Sequence, residues 1–166
     1  AELVQGIGGR VSGLVKTSPI PELIEKIGSE NIVDSKTAKI DQPSGIKLAI
    51  AKGYKNIAVT VTLASDIDEI EKIRDEHPDV NIYVFVVHTS KKNPEDARKL
   101  FDACDVTTAC ASKNIREIGQ KESIKTVGQS IPIYARTENG KKFLEMRLKK
   151  IGGEKPKKDN PDLPHP

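Results

Sequence analysis

The chain has 166 residues, of which 36% are hydrophobic and 31% charged, and its formal net charge is +3. This length is typical of one globular domain. The longest apolar run, Ile82–Val87, is far shorter than the roughly 20 residues of a membrane-spanning helix. Only 4% of residues are aromatic, and no basic stretch is interleaved with them, which disfavours nucleic acid as a partner. We therefore expect neither a membrane nor a nucleic-acid partner.

The cysteine content and the first residues of the sequence indicate the cellular compartment. Two cysteines are too few for a disulfide framework, which suits a reducing environment. The first residues carry neither a basic segment nor a long apolar stretch, so no secretory signal is visible. We expect a cytoplasmic protein.

Strand signals alternate with helix signals along most of the chain, a pattern typical of an α/β fold with a largely parallel sheet. The run Ile82–Val87 has no polar alternation, as expected of a strand covered on both faces. In chain order, the predicted strands are Gly13–Lys16, Ile32–Val33, Asn56–Thr62, Asn81–His88, Asp105–Cys110 and Ile131–Arg136.

Helices are predicted from capping residues and from apolar residues at helical spacing. They begin at Ser18, Ser44, Ser65, Asn93, Ser112 and Thr137. Glycines end the first two and the last, at Gly28, Gly53 and Gly152. The fourth helix carries Phe101 and Cys104 on an apolar stripe, which predicts that Cys104 is a small buried hydrophobic residue.

These signals predict a single α/β domain over residues 1–152. We expect a three-layer sandwich in which helices cover both faces of a mainly parallel sheet of about five strands. Proline and lysine dominate residues 153–166, which predicts an extended C-terminal arm.

The candidate site follows from the direction of the strands. In open parallel sheets, ligands bind beyond the carboxyl ends of the strands. Polar residues end four of the predicted strands, and we expect them to converge on one edge of the sheet, although polar residues also end strands simply because loops are exposed to water. They are Thr60, Thr62, His88, Thr89, Cys110, Ser112, Lys113, Arg136 and Thr137.

His88 and Cys110 are the candidate catalytic residues. Imidazole titrates near neutral pH, so His88 can act as an acid or a base. A thiol at the start of a helix and beside Lys113 favours the thiolate form, a nucleophile. The alternatives are a histidine hydrogen-bonded to a loop and a cysteine in a strand core. The spacing of a zinc site is absent, so no metal is predicted.

Other features predict a small anionic ligand, a phosphate or a carboxylate. Gly8 and Gly9 lie in a glycine-rich stretch that lacks the third glycine and the clear preceding strand of a dinucleotide motif. Its amides and the Arg10 guanidinium can bind an anion, the alternative being a flexible turn. The predicted helix starts at Ser112 and Thr137 lie beside the cations Lys113 and Arg136, and their free backbone N–H groups can also bind the anion. The predicted ligand-binding residues are Gly8, Gly9, Arg10, Ser112, Lys113, Arg136 and Thr137.

Three segments resemble the family called methanogenesis marker protein 8: Leu3–Arg10, Gly13–Pro21 and Thr108–Lys113. The resemblance runs from residue 3 to about residue 152. It implies an archaeal, cytoplasmic protein that accompanies the methane-forming pathway. The family has no assigned reaction, and its members extend further on the N-terminal side. The resemblance therefore supplies no catalytic residues.

We interpret the chain as a methanogenesis-associated protein that binds a small anion, with enzyme activity left open and no cofactor identified. The alternative is a non-catalytic assembly or maturation partner of a methanogenesis enzyme, which would use its surface and residues 153–166. A redox thiol protein is a third hypothesis. A site requires His88, Cys110 and at least one cation within one ligand's width, whereas scattered positions would favour the partner.

Overall fold

A computed structural model describes residues 2–5, 12–16 and 18–154. The chain divides into two compact units, residues 1–53 and 54–166. Within the described residues, no helix combines the length and apolar character needed to cross a membrane. The single domain over residues 1–152 and the arm over residues 153–166 stay predictions.

The first unit begins with two antiparallel strands, and helices follow them. Its elements are β1 (Glu2–Gln5), β2 (Ser12–Lys16), α1 (Pro21–Ile27), a short 3-10 helix (Ser29–Asn31) and α2 (Gln42–Ala51). The predicted strand at Gly13–Lys16 is confirmed, whereas β1 was not predicted. The strand predicted at Ile32–Val33 is wrong, because the chain there forms no ladder.

Two helix ends of the first unit, the start of α2 and the end of α1, have a local cause. Asp41 caps α2, since its Oδ1 accepts the backbone N–H of Ser44 at 2.9 Å. The helix therefore begins at Gln42 rather than at Ser44. Gly28 ends α1 as predicted, with a φ of 86° that glycine adopts at little cost.

The second unit is one five-stranded sheet with four helices. Its strands are β3 (Asn56–Val61), β4 (Asn81–Val86), β5 (Val106–Thr108), β6 (Lys125–Val127) and β7 (Ile133–Ala135). Its helices are α3 (Ser65–Glu76), α4 (Pro94–Ala103), α5 (Lys113–Glu122) and α6 (Glu138–Lys150). The strands lie in the order β3-β4-β5-β7-β6, which confirms the α/β class and the number of strands.

The sheet is mixed, and the prediction of a mainly parallel sheet is wrong. Strands β3, β4 and β5 pair in parallel, but β7 is antiparallel to both β5 and β6. The cause is β6, which was not predicted because three residues are too few to show alternation. A turn over residues 128–132, with φ of 82° at Gly128, reverses the chain between β6 and β7.

Three of the helices have the predicted residue as their N-cap. Asn93, Ser112 and Thr137 cap α4, α5 and α6, each accepting the backbone N–H three residues on, at 2.8, 3.3 and 3.1 Å. Ser65 was predicted to cap α3 but is its first residue, and Ala64 takes the cap position.

Neighbouring residues of β7 belong to two different hydrophobic clusters. Tyr134 is buried with Phe101 of α4 and Ile115 of α5. Ala135 is buried with Leu144 of α6. The helices α4 and α5 therefore pack on one residue of β7, and α6 packs on the next.

Candidate functional site

Two loops follow the parallel strands β4 and β5 and carry the candidate catalytic residues. We call residues 87–93 the His88 loop and residues 109–112 the Cys110 loop. His88 is exposed and Cys110 is partly exposed. Because β4 and β5 are parallel neighbours, their carboxyl ends lie at the same edge of the sheet. The structure brings these two residues to one edge.

Both candidate residues have a left-handed backbone. The φ angle is 54° at His88 and 43° at Cys110, and Lys91 in the His88 loop has a φ of 58°. Among the described residues other than glycine, only Ala38 shares this conformation. Side chains with a Cβ adopt it at a cost, and such residues concentrate at functional sites. The contacts between the two loops must offset that cost.

Thr89 joins the two loops. It is fully buried, and its Oγ1 donates to the carbonyl oxygens of Thr108 at 2.7 Å and Ala109 at 2.9 Å. Thr89 follows His88 and Ala109 precedes Cys110, so bond lengths limit the two Cα atoms to a separation of at most about 12 Å. The backbones of the two candidate catalytic residues therefore lie close together.

Two more hydrogen bonds connect the loops, and a third connects the His88 loop to the start of α5. The backbone N–H of Lys91 donates to the carbonyl oxygen of Ala111 at 3.2 Å. The N–H of Ala111 donates back to Ser90 Oγ at 3.3 Å. Asn114 in the first turn of α5 donates its Nδ2 to the carbonyl oxygen of Lys92 at 2.8 Å. The two loops therefore form one connected surface.

The two cysteines have different surroundings. The Sγ of Cys110 lies 3.3 Å from the hydroxyl of Thr108, and its carbonyl oxygen accepts Arg116 Nη1 at 3.1 Å. Cys104 is buried, as predicted, and burial raises the pKa of its thiol to about 12. Its Sγ lies 3.2 Å from the carbonyl oxygen of Phe101. Of the two, only Cys110 is partly exposed to solvent.

The start of α5 is positively charged. Lys113 is its first residue, and its first turn has no acidic residue, whereas α3, α4 and α6 each carry one or more there. Lys113 Nζ lies 3.7 Å from Glu117 Oε1, and both side chains are exposed, so the pair is weak. The positive end of the helix dipole adds to the charge of Lys113. This end of α5 favours a negatively charged ligand.

Sequence reasoning missed several residues of this edge: Ser90, Lys91, Lys92 and Arg116. Residues 87–93 and 109–116 contain four cations and no Asp or Glu. A usable signal was the pair Lys91-Lys92 between a predicted strand and a predicted helix. Arg116 lies one turn beyond the predicted cap Ser112. Thr89 was expected at this edge, but no local pattern indicates the partners of its hydroxyl, which lie about 20 residues away.

Arg136 and Thr137 do not join this edge. The N–H of Arg136 donates to the carbonyl oxygen of Asp105 at 2.9 Å, and Thr137 Oγ1 donates to Asp105 Oδ1 at 2.6 Å. Asp105 precedes β5 and Cys110 follows it, so about 16 Å of extended chain separates them. The expected convergence is wrong for these two residues, because β7 is antiparallel to β5. Arg136 Nε is buried without a hydrogen-bond partner in the described structure.

Gly8, Gly9 and Arg10 lie outside the described residues, and their anion-binding role stays a prediction. A strand, β1, precedes the glycine-rich stretch, contrary to the expectation. The next described element is the antiparallel strand β2 rather than a helix. A dinucleotide motif needs a helix at that position, so the stretch still lacks the βα unit.

Two further features bear on ligands. Among the residues that the structure describes, no group of three or more His, Cys, Asp or Glu side chains is arranged to hold a metal ion. The prediction that no metal binds stays a prediction. A surface cavity of about 690 Å³ lies in the first unit and is lined by Pro19, Ile24 and Glu30 among others. It contains none of the predicted site residues.

The second unit is therefore an α/β domain whose parallel strands end in two joined, cation-rich loops with an imidazole and a thiol. The chain belongs to the family described as "Uncharacterized protein conserved in archaea (DUF2099)", whose family model matches residues 1–149. It is 41% identical over 152 residues to "Uncharacterized protein MJ0054" of Methanocaldococcus jannaschii. The match covers 90% of this chain and 52% of that protein, so the chain spans about half the length of this curated relative. No solved structure matches the chain significantly.

These comparisons support membership of an archaeal family, but not the more specific family name that the sequence resemblance suggested. The family is described as conserved in archaea and uncharacterised. Neither the family nor the relative carries the name methanogenesis marker protein 8. The link to methanogenesis therefore stays a prediction.

Proposed function

We propose that the edge formed by the His88 and Cys110 loops binds a small anionic molecule, a phosphate or a carboxylate. The observation that carries this proposal is the buried hydroxyl of Thr89, which joins the loop of the imidazole to the loop of the thiol. The positive start of α5 and the exposed Lys113 support an anion rather than a neutral ligand.

Catalysis at this edge would use Cys110 as the nucleophile and His88 as the proton carrier. Where the bound molecule has an electrophilic carbon or phosphorus atom, the sulfur of Cys110 forms a bond to that atom as the leaving group departs. His88 takes the thiol proton and returns it to the leaving group. Water then releases the bound group from the sulfur. Enzyme activity is a further step beyond anion binding, and each has its own test.

The predicted three layers belong to this proposal. Successive side chains of a strand point to opposite faces. Tyr134 packs with α4 and α5, and Ala135 packs with α6, which supports helices on both faces of the sheet. The site would then lie at the ends of strands enclosed on two sides.

The cellular setting is proposed from other features. The link to methanogenesis rests on the resemblance of Leu3–Arg10, Gly13–Pro21 and Thr108–Lys113 to the marker family. Two free cysteines support a reducing, cytoplasmic compartment. Because the chain spans about half of its curated relative, the activity of a longer protein would include residues outside this sequence.

Thermal unfolding with added anions tests the binding proposal, because a ligand of the folded state raises the apparent stability. We expect inorganic phosphate or acetate to raise the midpoint of unfolding and to slow alkylation of Cys110 by iodoacetamide. Lys113→Ala should weaken both effects. Lys121→Ala, at the other end of the same helix, is the matched control and should keep them. No response to either anion in the parent protein would contradict the proposal.

The alternative, a non-catalytic assembly or maturation partner, has one observation in its favour. Helix α1 buries none of its residues. Ile20, Leu23 and Ile27, which share one side of this segment by helical spacing, are each about half exposed. Exposed apolar groups of this kind mark interaction surfaces. Capture of one defined protein from methanogen extract, abolished by Leu23→Glu, would support this alternative.

A further inference from the structure

The hydroxyl of Thr89 lies where the backbone ladder between β4 and β5 has ended. The paired residues of these strands are Phe85 with Val106 and Val86 with Thr107. Beyond these pairs the ladder between the two strands stops, and the backbone N–H of Val87 donates to the carbonyl oxygen of Val61 on β3 instead. Thr89 then reaches across to β5 with its side chain.

The geometry at this hydroxyl is restrictive. A threonine hydroxyl has one hydrogen, yet Oγ1 lies within 2.9 Å of both carbonyl oxygens, those of Thr108 and Ala109. Both carbonyls therefore converge on one buried donor. The threonine is fully buried, so water does not replace that donor without a structural change.

We propose that Thr89 is the positioning residue of this site, and that its hydroxyl fixes the separation between the imidazole of His88 and the sulfur of Cys110. This inference rests on the proposed function of the same edge. Thr89 is adjacent in sequence to His88 and holds the carbonyl of the residue before Cys110. Because it is buried, it acts through these neighbours and does not touch the ligand.

A purely structural role makes a different prediction. If Thr89 only stabilises the fold, its loss lowers the stability of the protein. It then changes the alkylation rate of Cys110 by the same factor whether or not the imidazole of His88 is present. If it positions the imidazole against the sulfur, its effect depends on His88. Residues that act as a unit show non-additive effects of this kind.

The experiment is a double-mutant cycle on the alkylation rate of Cys110. Thr89→Val keeps the shape of the side chain and removes the hydroxyl, and Thr89→Ser keeps the hydroxyl. Each is made in the parent and in the His88→Gln background. The rate with iodoacetamide is followed between pH 6 and about pH 10 by peptide mass spectrometry, which separates Cys110 from the buried Cys104.

We expect Thr89→Val to slow alkylation near neutral pH several-fold and to shift the pH profile to that of His88→Gln. In the His88→Gln background, Thr89→Val should have no further effect, and Thr89→Ser should resemble the parent. Equal slowing in both backgrounds, or no slowing in either, would overturn the role of Thr89. Thr89→Ala replaces the valine variant if that protein does not fold.

The same measurements separate this inference from the proposed function. If phosphate or acetate protects Cys110 but Thr89→Val changes nothing, anion binding stands and the positioning role fails. If the parent and His88→Gln proteins react alike at every pH, the catalytic pair fails, and the role of Thr89 fails with it.

Discussion

Gly119 of α5 lies against the ring of Tyr134 on β7. A Cβ atom on Gly119 would be 2.4 Å from Cδ2 of that ring. Tyr134 is almost fully buried and packs with Phe101 and Ile115. Helix α5, which begins beside Cys110, therefore approaches the sheet as closely as a residue without a side chain permits.

We expect Gly119→Ala to destabilise the protein by about 1–3 kcal/mol, because the added methyl overpacks a buried site. Chemical denaturation followed by circular dichroism measures the change. Gly45→Ala in α2 is the control, since a Cβ there meets no atom within 4 Å, and it should be neutral or stabilise by up to about 1 kcal/mol. Equal effects of the two substitutions would contradict the packing argument.

Local signals predicted the elements that carry the site. The unbroken apolar run Ile82–Val87 indicated β4, and the caps Asn93 and Ser112 marked the helices that follow β4 and β5. These signals are short-range, because a cap or a strand depends on residues within one turn or one run. They were sufficient to place His88 and Cys110 at the ends of two strands, whereas the adjacency of those strands is seen only in the structure.

Long-range pairing was not predictable in the same way. The direction of β7 depends on its pairing with β6, a three-residue strand without a periodic signal. That reversal moved Arg136 to the opposite end of β5. The role of Thr89 in joining the loops was missed for a related reason, since its hydroxyl donates to carbonyl oxygens of β5 and of the Cys110 loop. A sequence pattern records neighbours along the chain, whereas these contacts depend on the folded sheet.

The buried carboxylate of Asp105 allows a test of how much its hydrogen bonds contribute to stability. Asp105 is buried, and its carboxylate accepts the N–H of Val84 at 2.8 Å and the hydroxyl of Thr137 at 2.6 Å. Asp105→Asn leaves one of these donors facing an amide NH₂, so we expect a loss of about 1–3 kcal/mol in unfolding free energy. Asp102→Asn, which loses an exposed ion pair with Arg98, should cost less than about 1 kcal/mol. Urea denaturation of both variants is the measurement, and a smaller loss for Asp105→Asn contradicts the buried role.

Cys104 should make the protein less stable at alkaline pH. Burial raises the pKa of its thiol from 9.0 to about 12, so above pH 9 the unfolded chain loses this proton and the folded chain keeps it. The stabilisation present below pH 9 therefore declines as pH rises, by about 2 kcal/mol at about pH 10.5. Burial also raises the pKa of Tyr134, which acts in the same direction.

The Cys104→Ala variant isolates the contribution of the thiol. Its smaller side chain lowers stability by a constant amount at every pH, whereas the decline above pH 9 becomes shallower than in the parent. Urea denaturation between about pH 8 and pH 10.5 measures both slopes. Parallel curves for the two proteins would show that the thiol of Cys104 does not titrate differently on folding.

The direction of β7 makes a prediction about anion binding. Lys113 begins α5 next to the Cys110 loop, whereas the backbone of Arg136 bonds to Asp105 at the other end of β5. Up to about 16 Å of chain separates Asp105 from Cys110, which exceeds the screening length of about 8 Å at physiological salt. We therefore expect Lys113→Ala to weaken the binding of inorganic phosphate several-fold, and Arg136→Gln to leave it within about twofold. Isothermal titration at two salt concentrations measures both, and equal weakening by the two variants would place the anion away from the Cys110 loop.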